Sequence, residues 1–282
     1  MQPLFTIVEL AGSSSARLEC LLWEQEVVSS NLAYPTKWSH AKWLRFGKIV
    51  KTLNRWIVRY KAVFWDIDDT LLDYIPCCRE AFFAAMNELR DKHYVPDSLL
   101  SEDELFDLFF RISGRLFSEA KHGLHTIAEV MDLYPAEFIA SAGYPDEAVE
   151  PFKHAFRTAW GKTHTLVPGA REALEALRGK GYRLFAASNS FGHLQRSRLR
   201  HADILHYFED TFISMDIVYD KPDIRFYQES LRRAGLQPHE VVMIGDSMTT
   251  DILGAQAAGI DALFFDRRNN ASLPEIIKCL LD

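Results

Sequence analysis

The chain has 282 residues, 48% of them hydrophobic and 25% charged, with a net charge of −7. That composition is ordinary for a globular protein with a full core and a smaller second domain, and the acidic balance argues against nucleic-acid backbone binding as its main business. No apolar run approaches the roughly 18 residues of a membrane span, and the start lacks the basic and apolar regions of a secretory signal. Cys20, Cys77, Cys78 and Cys279 have no metal-ligand spacing, and adjacent Cys77 and Cys78 are poor disulfide partners. Buried thiols in a reducing cytoplasm are expected.

Residues 1–59 read as foreign to the rest. Residues 1–60 hold eight Lys/Arg against four Asp/Glu, a balance of +4 that leaves −11 for the remainder. Four of the six tryptophans (Trp23, Trp38, Trp43, Trp56) fall here, with a Gly-Ser-Ser-Ser run at Gly12 to Ser15 and no sustained period. The stretch from Val28 to Thr36 back-translates to the TTCGAATC loop, acceptor stem and ACCA end of a transfer-RNA gene. The expectation is a start assigned too far upstream, with the genuine one at Val58. A real N-terminal arm that packs or binds a partner is the alternative.

Lys61 to Trp65 reads as a short buried strand, and it runs into Asp66, Asp68, Asp69 and Thr70. Carboxylates this crowded repel one another and are costly to desolvate unless something positive sits among them. A hard divalent cation answers that need; Mg²⁺ typically takes one or two carboxylates plus waters and phosphate. An Asp-rich turn is the plainer alternative. Helical spacing follows over Glu80 to Arg90, Glu102 to Phe117, Thr126 to Ala142 and Asp146 to Thr163. Four amphipathic helices after one strand predict a bundle over residues 76–165. Phe82, Phe106, Phe109, Phe138 and Phe156 are expected in its core, while His122 and His125 fit a pocket or a solvated loop equally well.

From Pro168 helices and strands alternate. The helices are Ala170 to Arg178, Leu194 to Leu199, Asp223 to Ala234, Asp251 to Ala258 and Leu273 to Leu281. The strands are Tyr182 to Ala187, Thr211 to Ser214, Val241 to Ile244 and Ala262 to Phe265. This predicts an α/β fold: a Rossmann-like parallel sheet core over residues 60–75 and 166–282, helices on both faces, and the helical bundle inserted. Ligands of such sheets bind beyond the carboxyl ends of the strands, where strand order reverses. Three further clusters share that address. Ser188-Asn189 offers a hydroxyl, an amide and backbone N–H groups to an anion, and Lys221-Pro222 offers a cation. Gly245-Asp246, with Asp251 five residues on, supplies two acids around a turn that glycine permits. A turn serine, a surface lysine and a helix-capping aspartate are the dull readings of each cluster alone.

Asp-x-Asp-x-Thr, Ser, Lys-Pro and Gly-Asp-x-x-x-x-Asp, in this order over residues 61–266, resemble the four motifs of the haloacid dehalogenase (HAD) superfamily of phosphohydrolases. The inserted bundle looks like that family's type-one cap. The stretches from Asp66 to Asp73 and Gly245 to Ile252 resemble its house-cleaning pyrimidine 5′-nucleotidase branch. The resemblance implies Asp66 as nucleophile, giving an aspartyl-phosphate intermediate, and Asp68 as the acid that protonates the leaving alcohol and later activates water. It implies Mg²⁺ held by Asp66, the Asp68 carbonyl and Asp246, and phosphate bound by Ser188, Asn189 and Lys221. Asp251 is expected to support the metal's waters or Lys221 from behind, and Thr70 to order the turn.

The acid at Asp68 separates the chain from the family's dehalogenases, which lack one there. The expected substrate is a small phosphate monoester, foremost a nucleoside 5′-monophosphate. Phosphoglycolate or a sugar phosphate stands as alternative, followed by a sugar-phosphate mutase or a silent binding relative. No nucleic-acid polymer or membrane is expected as partner, and monomer and homodimer stay open. Ser190 stands where nucleotidase relatives often carry glycine, and Asp220 beside Lys221 is expected to compete for the lysine.

Overall fold

Five short runs rich in Val, Ile, Phe and Ala leave almost no side chain in water, which a parallel sheet covered on both faces allows. The computed structural model describes residues 60–96, 99–267 and 271–281, and the expectations for residues 1–59 and for Cys20 lie outside the described residues. The strands are β1 (Ala62–Trp65), β2 (Arg183–Ser188), β3 (Asp210–Ile213), β4 (Val241–Gly245) and β5 (Asp261–Phe264). They lie in the order β3-β2-β1-β4-β5, all parallel. β1 is central, with Trp65 level with Ala186 on one side and Ile244 on the other. The chain builds β2 and β3 on one side of β1 before crossing to β4 and β5. The strand order therefore reverses at β1, and the crevice opens beyond its carboxyl end.

Four helices intervene before β2: α1 (Tyr74–Asp91), α2 (Glu102–Lys121), α3 (Ile127–Ser141) and α4 (Val149–Trp160). They share an aromatic core distinct from that of the sheet. Phe82 sits at its centre, its ring 5.1–5.6 Å from those of Phe83, Phe106, Phe109 and Phe138. Capping boxes start two of the helices, Ser101 with Glu104 at α2 and Thr126 with Glu129 at α3. Each satisfies backbone N–H groups that a helix start leaves unpaired. α1 begins six residues earlier than the apolar spacing predicts, because Cys77 and Cys78 extend its buried face as small hydrophobes. The chain's exit to the bundle and its return run side by side. Asp73 N–H donates to Thr165 O (2.8 Å) and Val167 N–H to Leu71 O (2.9 Å).

The sheet is covered by α5 (Ala170–Gly179), α6 (Gly192–His201), α7 (Ser214–Ile217), α8 (Ile224–Ala234), α9 (Gly254–Ala257), α10 (Leu273–Ile276) and α11 (Lys278–Leu281). Val63 and Trp65 face Leu174, Leu177 and Ile277, while Ala62 and Phe64 face Phe226, Tyr227 and Leu231. That is the two-residue period of a strand buried on both sides. The helix expected over Asp251 to Ala258 starts earlier, as a wide turn over Met248–Leu253 in which Ile252 N–H reaches Ser247 O (3.2 Å). The closing helix is two short ones. No helix among the described residues is long and apolar enough to cross a membrane.

Candidate active site

Asp66 leaves β1 with its backbone N–H still on Ile244 O (2.9 Å), so its side chain is fixed at the mouth of the sheet. It is 6% exposed. One carboxylate oxygen accepts from Lys221 Nζ (2.7 Å), the other from Thr70 Oγ1 (3.0 Å). The turn that brings Thr70 back passes through Asp69 at φ 61°, a left-handed conformation that aspartate tolerates. Thr70 thus orders both the turn and Asp66. Burial raises the Asp66 carboxyl well above the ordinary carboxylate range; Lys221 opposes this, and the charges of Asp251 and Asp246 add to it.

Lys221 is the buried hub. Its ammonium also donates to Asp251 Oδ1 (2.6 Å) and to Ala187 O at the end of β2 (2.9 Å). Burial alone would lower its pKa, but the carboxylates of Asp251 and Asp66 prevail and raise it, so it stays charged. Asp251 Oδ2 accepts from Ser247 N–H (3.0 Å), which leaves its carboxylate engaged on both sides. The sequence reading of Asp220 as a rival for Lys221 is corrected: Asp220 Oδ2 accepts from Ile127 N–H at the start of α3 (3.3 Å), away from the lysine. Gly245 is also used differently from expected. It has no positive φ, but a Cβ there would overlap the carboxyl group of Asp251.

Carboxylate oxygens of Asp66, Asp246 and Asp251 lie within 4.8 Å of one another. Two of the three acids, Asp66 and Asp251, pair with the ammonium of Lys221, while the charge of Asp246 is felt by Arg267. Hard oxygen donors in net negative excess suit a hard divalent cation such as Mg²⁺. Ser188, Asn189 and Asp68 complete the floor of a cavity of about 500 Å³ beneath the bundle. Asn189 plays a different part from the expected one. Its side chain pairs reciprocally with the Lys221 backbone, Nδ2 to O (2.8 Å) and N–H to Oδ1 (2.7 Å). The side-chain amide therefore fixes the lysine loop, and the residue itself lines the cavity. Ser190 is buried beside it and also borders the cavity.

Gln195 and Arg198 escaped the sequence reading. Both are fully buried on α6 and both bind Asp68. The signal was present: Leu194, Gln195, Arg198 and Leu199 form the inward stripe of that helix, where two of four positions are polar. Of the two histidines, His125 borders the cavity, while His122 is exposed with Nδ1 on Ser118 O. Phe109 and Phe156 belong to the bundle core and also reach the cavity.

A parallel α/β sheet with acids and a buried lysine gathered at its switch point defines an enzyme class that works on anions with carboxylate chemistry. The family model of haloacid dehalogenase-like hydrolases matches residues 60–259, and the chain belongs to that family. It is 30% identical over 203 residues to a glyceraldehyde 3-phosphate phosphatase of Methanothermobacter thermautotrophicus, covering 72% of this chain and 84% of that one. It is 28% identical over 210 residues to the pyrimidine 5′-nucleotidase PynA of Streptococcus pneumoniae, covering 73% and 84%. The magnesium-bound crystal structure of the HAD-hydrolase YfnB of Bacillus subtilis shares 27% identity at a TM-score of 0.64, over 78% of this chain and 92% of that one.

Proposed function

We propose that this hydrolase is a Mg²⁺-dependent phosphatase that cleaves a small phosphate monoester through an aspartyl phosphate on Asp66. The observation that carries the reading is the cluster itself: Asp66, Asp246 and Asp251 close together, the first and last of them on Lys221, with Ser188 and Asp68 lining the same cavity. Phosphatase relatives and a magnesium-bound structural neighbour support it. Asp66, the Asp68 carbonyl and Asp246 are the groups to hold Mg²⁺, which when bound offsets charge on the transferring phosphoryl group.

In the first half-reaction an Asp66 oxygen bonds to phosphorus as the bond to the leaving oxygen breaks, and Asp68 gives that oxygen its proton. In the second, water attacks phosphorus and yields a proton to Asp68. The bond to Asp66 then breaks, releasing inorganic phosphate and restoring the carboxylate. Ser188 and Lys221 bind phosphate oxygens, and Asp251 keeps Lys221 in place. The bundle acts as a cap that shields these steps from bulk water.

The floor contacts recognise any phosphate monoester, so the roof must select the leaving group. Phe110, Phe117, Ile127, Met131, Tyr134 and Trp160 line it. An apolar, aromatic roof suits a nucleobase, and a nucleoside 5′-monophosphate is the favoured substrate; PynA supports this. The 30% identity to a glyceraldehyde 3-phosphate phosphatase favours a small sugar phosphate as second reading. A phosphate-release panel of pyrimidine and purine monophosphates, sugar phosphates and phosphoglycolate, with Mg²⁺, decides. Nucleotide kcat/KM values about tenfold or more below the best sugar phosphate or phosphoglycolate retire the nucleotidase reading and leave the phosphatase standing.

A further inference from the structure

The carboxylate of Asp68 is held at both oxygens. Gln195 Nε2 donates to Oδ2 and Arg198 Nη1 to Oδ1, each at 2.6 Å. The same Gln195 nitrogen donates to Ser188 Oγ (3.0 Å), and Gln195 Oε1 accepts from Arg198 Nη1 (2.9 Å). The amide therefore has one orientation, with its oxygen on the guanidinium and its nitrogen between acid and serine. Because Gln195 fills an acceptor position of Ser188, the serine's own proton is left to be given to a phosphate oxygen.

Arg198 carries the arrangement further. Its guanidinium carbon lies 3.8 Å from the centre of the Trp160 ring, and Nε donates to Thr163 Oγ1 (3.2 Å). Trp160 ends α4, and Thr163 belongs to the segment by which the chain returns from the bundle to the sheet. A fully buried guanidinium is costly without a counter-charge, and Asp68 is its ion-pair partner. A lysine in the same place is a point charge on a flexible stem, unable to hold the acid, the glutamine and Thr163 in one plane.

We infer that Gln195 and Arg198 are positioning residues that fix the proton-donating carboxyl of Asp68 and tie its place to the segment joining the bundle to the sheet. The inference rests on the phosphatase reading above. Its signature is dependence on the leaving group. A phenolate made acidic by a nitro group departs with little help from a proton, whereas a methyl-substituted one needs it. Phosphate contacts are common to every aryl phosphate, so a disturbed Ser188 affects all of them alike.

The test measures kcat and KM with p-nitrophenyl, phenyl and p-methylphenyl phosphate in Mg²⁺ for the full chain, Arg198→Lys and Gln195→Leu. Loss of acid positioning should lower kcat on p-methylphenyl phosphate by about 10²-fold, within the range of general acid catalysis, and on p-nitrophenyl phosphate by far less. In an Asp68→Asn background Arg198→Lys should bring no further loss, since it acts through that carboxyl, and Gln195→Leu should bring only a loss through Ser188 that is equal for the three esters. If Arg198→Lys melts below the assay temperature, Gln195→Leu carries the test, because it leaves the arginine's ion pair in place. Equal losses across the three esters, or full additional loss beside Asp68→Asn, overturn the positioning role and leave the phosphatase standing. A wild-type chain inactive on all three esters and on the substrate panel overturns both.

Discussion

Asp66 and Asp68 stand two residues apart on one segment, yet their surroundings differ. Asp66 is buried against Lys221 and Thr70, while Asp68 is partly open to the cavity and held from the side by α6. The proposed division of labour follows from that contrast: one carboxylate is immobilised for attack, and its neighbour lies where a leaving group can reach it. Asp66→Asn is expected to abolish turnover with the fold retained, and Asp68→Asn to lower it by about 10²–10⁴-fold. Acid quench during turnover should trap a phosphorylated protein in wild type and none in Asp66→Asn. Full turnover by Asp66→Asn rules out the covalent route. Asp246 is proposed as a Mg²⁺ ligand. Mg²⁺ should raise the melting temperature of wild type through binding to the folded state, and Asp246→Ala should weaken that response. EDTA should remove activity, and added Mg²⁺ should restore it.

At the scale of elements, β1 and α6 do most to build the site, and they do it by opposite patterns. β1 is apolar throughout and only delivers Asp66 to the switch point. α6 places polar side chains on its inward face and supplies partners to the acid. The bundle helices hold together through rings, with Phe82 meeting five others spread over α1, α2, α3 and α4. Phe82→Ala should therefore cost about 3–5 kcal/mol, read by urea unfolding, because the cavity it leaves is walled by rigid rings. The stripe on α6 was legible in the residues, but helical period alone does not say whether an inward arginine meets a carboxylate or lines a solvated groove.

At the scale of the whole molecule, bundle and sheet are joined by the paired segments around Asp73 and Thr165 and again by Asp220, which meets the start of α3. The cavity lies between them, so whatever moves one relative to the other changes the space for a leaving group. A chain beginning at residue 58 keeps every contact described for residues 60 onward, including Lys61 with Glu240 and Tyr60 with Asp261. It is expected to match the full chain in melting temperature and in kcat/KM. A drop in either measure assigns residues 1–57 a working part.

The amino-acid sequence by itself determined the alternation of strands and helices, the helical insertion, and the presence of Asp66, Ser188 and Asp246 at strand ends, with Lys221 in the connection that follows β3 and α7. Those features are local: periodicity, turn residues and spacing are written within a few residues of where they act. Only the tertiary structure decided which group meets which. It set Asn189 on the lysine backbone, Asp220 on α3, and Gln195 and Arg198 on Asp68. Each of these contacts joins residues more than 30 positions apart, or lies on a side chain whose partner depends on how sheet and bundle pack. Burial then decided the electrostatics, since a lysine among carboxylates acquires its character only once water has been excluded from all of them.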